Sequence, residues 1–204
     1  MDFKKLLVNC LTSFLVVFKR FVGLILNPYK TMRKISVEKD YYQLAVIIGL
    51  IFLYFKFIYF LRDKIYPATL VYFLFIFNLS LTVFFFYSLS RLFNKNIIKF
   101  SSFVFTFIYS LFPTLIWFLS TSILYIFLPP PRTFSLMGKG FSILFIAYSL
   151  SLLIWKFILV YLALRFSSKQ NFLRIISMII LYLIWLIPYS ILLYQFKLFR
   201  IPFI

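Results

Sequence analysis

Five long apolar stretches dominate the sequence, and each carries at most one charged residue. A helix needs about 20 predominantly apolar residues to cross the hydrocarbon core of a bilayer, and every stretch reaches that length. A soluble fold of 204 residues could not bury such a sequence, since 64% of the chain is apolar against about 45–50% in soluble domains. The sequence therefore predicts an all-α membrane domain over residues 41–196, with five transmembrane helices at about 41–61, 67–90, 100–128, 141–164 and 172–194.

The region before the first stretch, residues 1–40, has a different character. Residues 5–27 are amphipathic: on a helix their polar side chains share an arc of about 120°, which includes the adjacent Lys19 and Arg20. Two cations midway along a spanning helix would cost about 2.5–3.5 kcal/mol each, whereas a helix lying in the interface keeps them hydrated. We therefore expect an amphipathic interfacial helix, with a spanning helix inside a bundle as the alternative.

A second, shorter helix is expected directly after it. Asn27 and Pro28 form a helix-start signal, because asparagine is a favoured N-cap residue and proline suits the first helical position. The residues from Pro28 to Asp40 include four cations. This composition predicts a short basic helix and a turn that face the lipid head groups.

The net charge of +18, from 22 basic and four acidic residues, first suggests nucleic acid as a partner. The cations, however, lie in short segments between apolar stretches, where contact with anionic lipid head groups is the simpler interpretation. We therefore expect membrane lipids and no nucleic acid as partners, with a membrane protein or a second copy of the chain as further possibilities. The candidate head-group contacts are Lys19, Arg20, Lys30, Arg33 and Lys34.

The distribution of the cations also predicts an orientation. With five spans, 14 Lys and Arg residues fall on the side of the N-terminal region and seven on the other, Lys156 being left out. Cytoplasmic loops carry the excess of positive charge in membrane proteins. We therefore expect a multi-pass protein of the cell membrane with a cytoplasmic N-terminus, and with the short tail 197–204 on the outside.

The sequence lacks the residue sets that most enzymes need. It has no histidine and one cysteine, Cys10, so neither an internal disulfide nor a zinc site of the usual kind is expected. A paired-carboxylate mechanism needs two acids at one site, and the acids lie at or beyond the ends of the apolar stretches: Asp2, Glu38, Asp40 and Asp63. We expect no catalytic residue, no metal and no cofactor.

Lys156 is the exceptional charge, because it lies inside the fourth stretch. If the hydrocarbon ends near Val160, the ammonium is about one turn, or about 6 Å, from the boundary, and a lysine stem can snorkel that distance. Snorkelling is the favoured interpretation. In the alternative, Ser149 and Lys156 share one helix face and form an intramembrane polar site opposite the hydroxyl residues of the third stretch.

Two stretches contain a proline, Pro113 in the third and Pro188 in the fifth. A proline inside a helix removes a backbone hydrogen bond. We favour a kink that the neighbouring helices absorb, with a broken helix beside a binding site as the alternative.

The order of several short motifs resembles the Yip-domain family in its shorter prokaryotic form. The likeness covers about residues 27–195 and rests on Asn27-Pro28 before the first stretch, on Tyr109 with Pro113 in the third, on Trp155, and on Leu164-Arg165 before the last. The resemblance implies five spans, a cytoplasmic N-terminus and an outward C-terminus, and it implies no catalytic residues. The long polar N-terminal region and the Asp-Leu-Tyr-Gly-Pro motif of eukaryotic members, which act in vesicle traffic with Rab-type GTPases, are not present here.

Two functional hypotheses follow from these observations. The first is a non-enzymatic membrane protein of the Yip-like type that acts through contacts with lipids or other membrane proteins. The alternative is a permease, or a subunit of one, for an anionic or amphipathic substrate, with Lys156 facing the path.

Overall fold

The computed structural model describes residues 3–61, 66–93, 98–127 and 136–196, and within these ranges the chain is helical without strands. The predicted tail at 197–204 and the proline run after the third stretch lie outside the described residues. The helices are α1 Phe3–Leu26, α2 Pro28–Ile35, α3 Tyr41–Leu61, α4 Ala68–Phe93, α5 Phe100–Ser110, α6 Phe112–Phe127, α7 Leu136–Ser168 and α8 Phe172–Gln195.

Six segments are long and apolar enough to cross a membrane: α1, α3, α4, α5 with α6, α7 and α8. This confirms the all-helical membrane class. The five predicted stretches correspond to α3, α4, α5 with α6, α7 and α8, and α4 and α7 extend beyond their predicted bounds. At 1.5 Å per residue the 33 residues of α7 measure about 50 Å, more than the roughly 30 Å of a hydrocarbon core.

The third segment is divided into two helices at Leu111. Pro113 has no N–H with which to continue the α-helical pattern, and the backbone tightens just before it, where the N–H of Leu111 donates to Ile108 O at 3.2 Å. Pro188, by contrast, lies inside a continuous α8. The two prolines therefore differ in effect, and only the first coincides with an interruption of its helix.

The centre of the molecule is α5. Nearly every residue from Ser102 to Leu111 is buried, and the segment packs most extensively against α7 and also against α4 and α2. Large aromatic side chains fill this core, since Phe75, Phe103 and Tyr109 are fully inaccessible. Aromatic rings of this size bury large apolar areas and pack edge to face or stacked, as Phe86 and Phe107 do at 5.2 Å.

Helix α1 packs against α3 and α2 through a face that the sequence assigned to water. Ser13 is buried, and Gly23 allows such a close approach to α2 that a Cβ atom there would lie 2.7 Å from Thr31 Oγ1. Part of the polar arc of residues 5–27 therefore contacts protein. The reason is the linker after α2, whose carboxylates supply partners for these polar side chains.

Helix α2 begins at Pro28 with Asn27 in the N-cap position, as predicted, although the Asn27 side chain makes no capping hydrogen bond. Its apolar face, Met32 and Ile35, is fully buried against α5 and α7. The ring of Tyr29 meets Phe166 of α7 edge to face at 4.9 Å. The basic side chains of this short helix are thereby fixed on its outer side.

Candidate functional site

One end of the bundle, which we call the basic end, gathers the termini of several helices. The C-terminal part of α4 reaches the start of α5, where the rings of Tyr87 and Phe100 lie 5.1 Å apart. Gln170, in the turn between α7 and α8, donates its side-chain amide to Ser90 O of α4 at 3.1 Å. With α2 docked on α5 and α7, these contacts bring the described cations before α3, in the last turn of α4, before α5 and around the turn between α7 and α8 to the same end.

The described part of this end carries nine exposed cations. They are Lys30, Arg33, Lys34, Lys39, Arg91, Lys99, Arg165, Lys169 and Arg174. The two described carboxylates nearby, Glu38 and Asp40, are partly buried and bonded to α1, and they are far fewer than these cations. Such a concentration of exposed positive charge attracts anionic head groups.

Four of the five predicted head-group contacts are exposed: Lys19 on α1 and Lys30, Arg33 and Lys34 on α2. Arg20 is placed differently, because its Nη2 donates to Glu38 Oε2 at 3.1 Å and its side chain is only 22% exposed. This ion pair joins α1 to the linker before α3. Contact of these side chains with lipid stays a prediction, and the geometry favours it for the four exposed lysines and arginines.

A partly buried polar cluster, which we call the Asp40 network, joins three helices next to this end. Asp40 Oδ2 accepts hydrogen bonds from Ser13 Oγ at 2.8 Å and from Gln43 Nε2 at 3.2 Å. The hydroxyl of Tyr109 donates to Gln43 Oε1 at 2.7 Å. Asp40 Oδ1 also accepts from the backbone N–H of Tyr42 at 3.1 Å, and so caps the start of α3.

Sequence analysis assigned no structural role to Glu38 and Asp40, which it placed only at or beyond the ends of the apolar stretches. They lie in the linker between α2 and α3, and both side chains contact α1. The position of Asp40 directly before an apolar stretch was a usable N-cap signal. The contacts to Ser13 and Tyr109 could not be read from spacing, since they join residues 27 or more positions apart.

Lys156 lines a cavity of about 100 Å³ between α4, α5, α7 and α8, which we call the Lys156 cavity. Three hydroxyl residues share its lining, Thr82, Ser110 and Tyr182, and the remaining lining is apolar or aromatic. Lys156 lies nine residues before Arg165, so its Cα is about 14 Å along the helix from that exposed residue. A cation at this depth costs about 2.5–3.5 kcal/mol on insertion scales.

This placement bears on the two interpretations of Lys156. The sequence favoured a side chain that snorkels to the interface, whereas the structure puts Lys156 on the wall of a cavity that is 12 residues inside the C-terminal end of α7. The interruption at Leu111 adjoins the cavity, since both Ser110 and Leu111 line it. The interruption of the third segment and Lys156 therefore border the same cavity.

The protons of two cavity hydroxyls are already used within the protein. Ser110 Oγ donates to Phe107 O at 2.7 Å, and Thr82 Oγ1 donates to Asn78 O at 2.9 Å. Thr82 Oγ1 also lies 2.8 Å from the hydroxyl of Tyr182. Because the single hydroxyl proton of Thr82 goes to Asn78 O, Tyr182 is the donor in that pair, and its proton points to Thr82 Oγ1.

Ser149, the other predicted member of the intramembrane site, belongs to a different contact. Its hydroxyl accepts a hydrogen bond from Trp117 Nε1 at 3.1 Å and donates to Phe145 O at 2.8 Å. It is not part of the lining of the Lys156 cavity. The hydroxyl residues that share the cavity lining with Lys156 are Ser110, Thr82 and Tyr182, and the latter two were missed because they lie on helices far apart in sequence.

Among the residues that the structure describes, no group of three His, Cys, Asp or Glu side chains is placed to hold a metal ion. No family model, no curated protein and no solved structure matches the chain, so its likeness to the Yip-domain family stays a prediction.

Proposed function

We propose that the chain is a non-enzymatic, multi-pass membrane protein of the Yip-like type that acts through contacts of its basic end with anionic lipid. In this proposal the basic end faces the cytoplasm, α1 lies in the interface, and the other five long segments cross the bilayer. The observation that carries the proposal is the group of nine exposed cations at one end of the described helices. Each contributes about 1 kcal/mol of attraction near an anionic surface.

The interfacial position of α1 is supported by the side chains that it leaves uncovered. Its outer surface is apolar over several turns, with Leu11, Phe14, Leu15, Phe18 and Ile25 exposed. Lys19 is exposed on the same helix, while Arg20 is ion-paired with Glu38. A helix at the interface can bury the first group in the acyl boundary and keep Lys19 among the head groups.

The test compares charge reversal at the two ends of the protein. Lys30, Arg33 and Lys34 are changed together to Glu, because all three are exposed on the outer side of α2, and the exposed Lys139→Glu at the start of α7 is the control. Native mass spectrometry of the purified protein counts the bound molecules of phosphatidylglycerol and of phosphatidylcholine. We expect the triple variant to lose phosphatidylglycerol selectively, and the control to retain it.

Retention of phosphatidylglycerol by the triple variant at the level of the unmodified protein would contradict the proposal. The salt dependence gives a second measure of the same contact. Because attraction between exposed charges is screened within about 8 Å at physiological ionic strength, higher salt should lower the lipid count of the unmodified protein. It should change that of the triple variant much less.

A second candidate function is favoured by one observation, the position of Lys156 on an intramembrane cavity. In this case the protein is a permease, or a subunit of one, for an anionic or amphipathic substrate. A radiolabelled alkyl sulfonate is added outside the proteoliposomes, and its uptake is measured. Its permanent charge keeps passive crossing of the bilayer slow. Uptake that disappears in Lys156→Ala while the variant remains folded supports this function, and equal uptake by both proteins argues against it.

A further inference from the structure

The Lys156 cavity has a buried floor and a partly open side. Its floor is formed by α4 and α5, where Phe75, Phe86 and Phe107 are at most 2% exposed. Its outer wall is formed by α7 and α8, where Phe157 is 43% exposed and Leu183 is partly exposed. The cavity therefore opens sideways between α7 and α8, toward the hydrocarbon of a surrounding bilayer, and a ligand can reach it from within the membrane.

The size of the cavity limits what can occupy it. A volume of about 100 Å³ is smaller than the roughly 150 Å³ of an engineered apolar cavity that holds one benzene molecule. A carboxylate and the first few methylene groups of one chain fit such a space. A glycerol phosphate with two acyl chains does not, and any longer chain must leave through the opening between α7 and α8.

The charge of the cavity selects the head group. Lys156 is the one ionisable group among the lining residues apart from Tyr182, and all four acidic residues of the chain lie outside α4–α8. The lining therefore presents a cationic side chain, and its attraction for an anion bound beside it is strong in a medium of low dielectric constant. The apolar surfaces beside it suit a hydrocarbon chain and not a hydrated inorganic ion.

The hydroxyl groups add a second point of recognition. The Tyr182 hydroxyl donates to Thr82 Oγ1, whose own proton goes to Asn78 O, and a ligand carboxylate, as a stronger acceptor, can replace Thr82 as the partner of the Tyr182 proton. A carboxylate has two oxygens, so one can accept from the Lys156 ammonium and the other from the Tyr182 hydroxyl. Hydrogen bonds to an ionised acceptor are shorter and stronger than those between neutral groups.

We propose that the Lys156 cavity binds the carboxylate of a single-chain amphiphile of the fatty-acid class, whose tail leaves between α7 and α8 into the bilayer. The inference rests on the cavity that also supports the second candidate function, and it names the ligand class of that site. Binding does not require transport, so a protein that binds without uptake would disprove the permease and retain this site.

The test is equilibrium binding of radiolabelled laurate to the purified protein in nonionic detergent. Lys156→Met removes the charge but retains an unbranched side chain of similar length. Lys56→Met is the control, because Lys56 lies in α3, away from the cavity. We expect Lys156→Met to weaken binding by about tenfold or more, as for the loss of one hydrogen bond to a charged group. Lys56→Met should bind as the unmodified protein does.

Competing ligands separate the chemical classes. Unlabelled laurate should displace the label, whereas dodecanol, which lacks the charge, and a two-chain phosphatidylglycerol should not. Displacement by phosphatidylglycerol at the same concentration would overturn the single-chain assignment. Equal affinity of laurate for the unmodified protein and Lys156→Met, with both folded by gel filtration, would overturn the site itself.

Cross-linking tests the exit of the tail without any variant. A fatty acid with a diazirine along its chain is photolysed on the unmodified protein, and the labelled peptides are located by mass spectrometry. Labelling should concentrate on α7 and α8 around Phe157 and Leu183, and excess laurate should suppress it. Labelling that is spread evenly over the exposed apolar face of α1 and the other helices would contradict the proposal.

Discussion

The hydrogen bond between Tyr109 and Gln43 offers the sharpest test of the packing at the centre of the molecule. Tyr109 is fully buried, Gln43 is 2% exposed, and the donor and acceptor oxygens are 2.7 Å apart. Tyr109→Phe removes only the hydroxyl and leaves Gln43 Oε1 buried without this donor. A buried polar group that loses its partner costs about 1–3 kcal/mol, and we expect this decrease in the free energy of unfolding.

The assay is reversible unfolding of the purified protein in mixed micelles, with the mole fraction of sodium dodecyl sulfate as the denaturant. Tyr59→Phe is the matched control, because Tyr59 is 45% exposed. A substitution at such an exposed position is expected to change the free energy by no more than about 0.5 kcal/mol. The two variants make the same chemical change, so their difference isolates the effect of the buried contact.

A double variant completes the argument. Replacing both partners by apolar groups removes the unsatisfied oxygen, so Gln43→Met with Tyr109→Phe should be less destabilised than the sum of the two single changes. After Gln43 is replaced, Asp40 still accepts hydrogen bonds from Ser13 Oγ and from the Tyr42 N–H. If Tyr109→Phe unfolds at the same denaturant mole fraction as Tyr59→Phe, the reasoning about this contact is wrong.

Two further substitutions test how α1 is held. Gly23→Ala would place a Cβ atom 2.7 Å from Thr31 Oγ1, and we expect it to lower the free energy of unfolding by about 1–3 kcal/mol. Gly49→Ala, where nothing lies within 4 Å, should leave it unchanged or raise it by up to about 1 kcal/mol, and equal effects of the two changes would refute the close approach of α1 and α2. Arg20→Ala removes the 3.1 Å bond to Glu38 and should cost about 1.5–3 kcal/mol. Exchanging the two charges, Arg20→Glu with Glu38→Arg, should recover part of that loss, and no recovery would argue against the ion pair.

The long membrane segments could be predicted from the sequence because hydrophobicity alone defines them. Runs such as 67–90 have the length and composition of a spanning helix whatever surrounds them, and α4 begins at Ala68 as expected. The start of α2 after Asn27 was equally local, because it follows from the proline at its first position. Features of this kind depend only on residues that are adjacent in the chain, so they can be predicted from the sequence alone.

The interior contacts could not be predicted in the same way. Periodicity placed Ser13 and Arg20 on a polar face, but it could not say whether water or the carboxylates of the next linker would satisfy them. Lys156 was recognised as an unusual cation, yet its cavity depends on Thr82 and Tyr182 from helices distant in sequence. Which helices become neighbours is a property of the whole bundle. The apolar faces of the helices are too similar in composition for a single sequence to show which of them pack together.

The most direct measurement of the central claim is labelling of single cysteines from one side of the membrane. In a Cys10→Ser background, Lys169→Cys and Lys139→Cys lie near the two ends of α7, and Lys34→Cys lies on α2 at the basic end. A membrane-impermeant maleimide applied to intact cells should label the cysteine at 139 alone, and all three only after permeabilisation. Labelling of the cysteines at 139 and 169 from the same side would contradict a membrane-spanning α7 with the basic end in the cytoplasm.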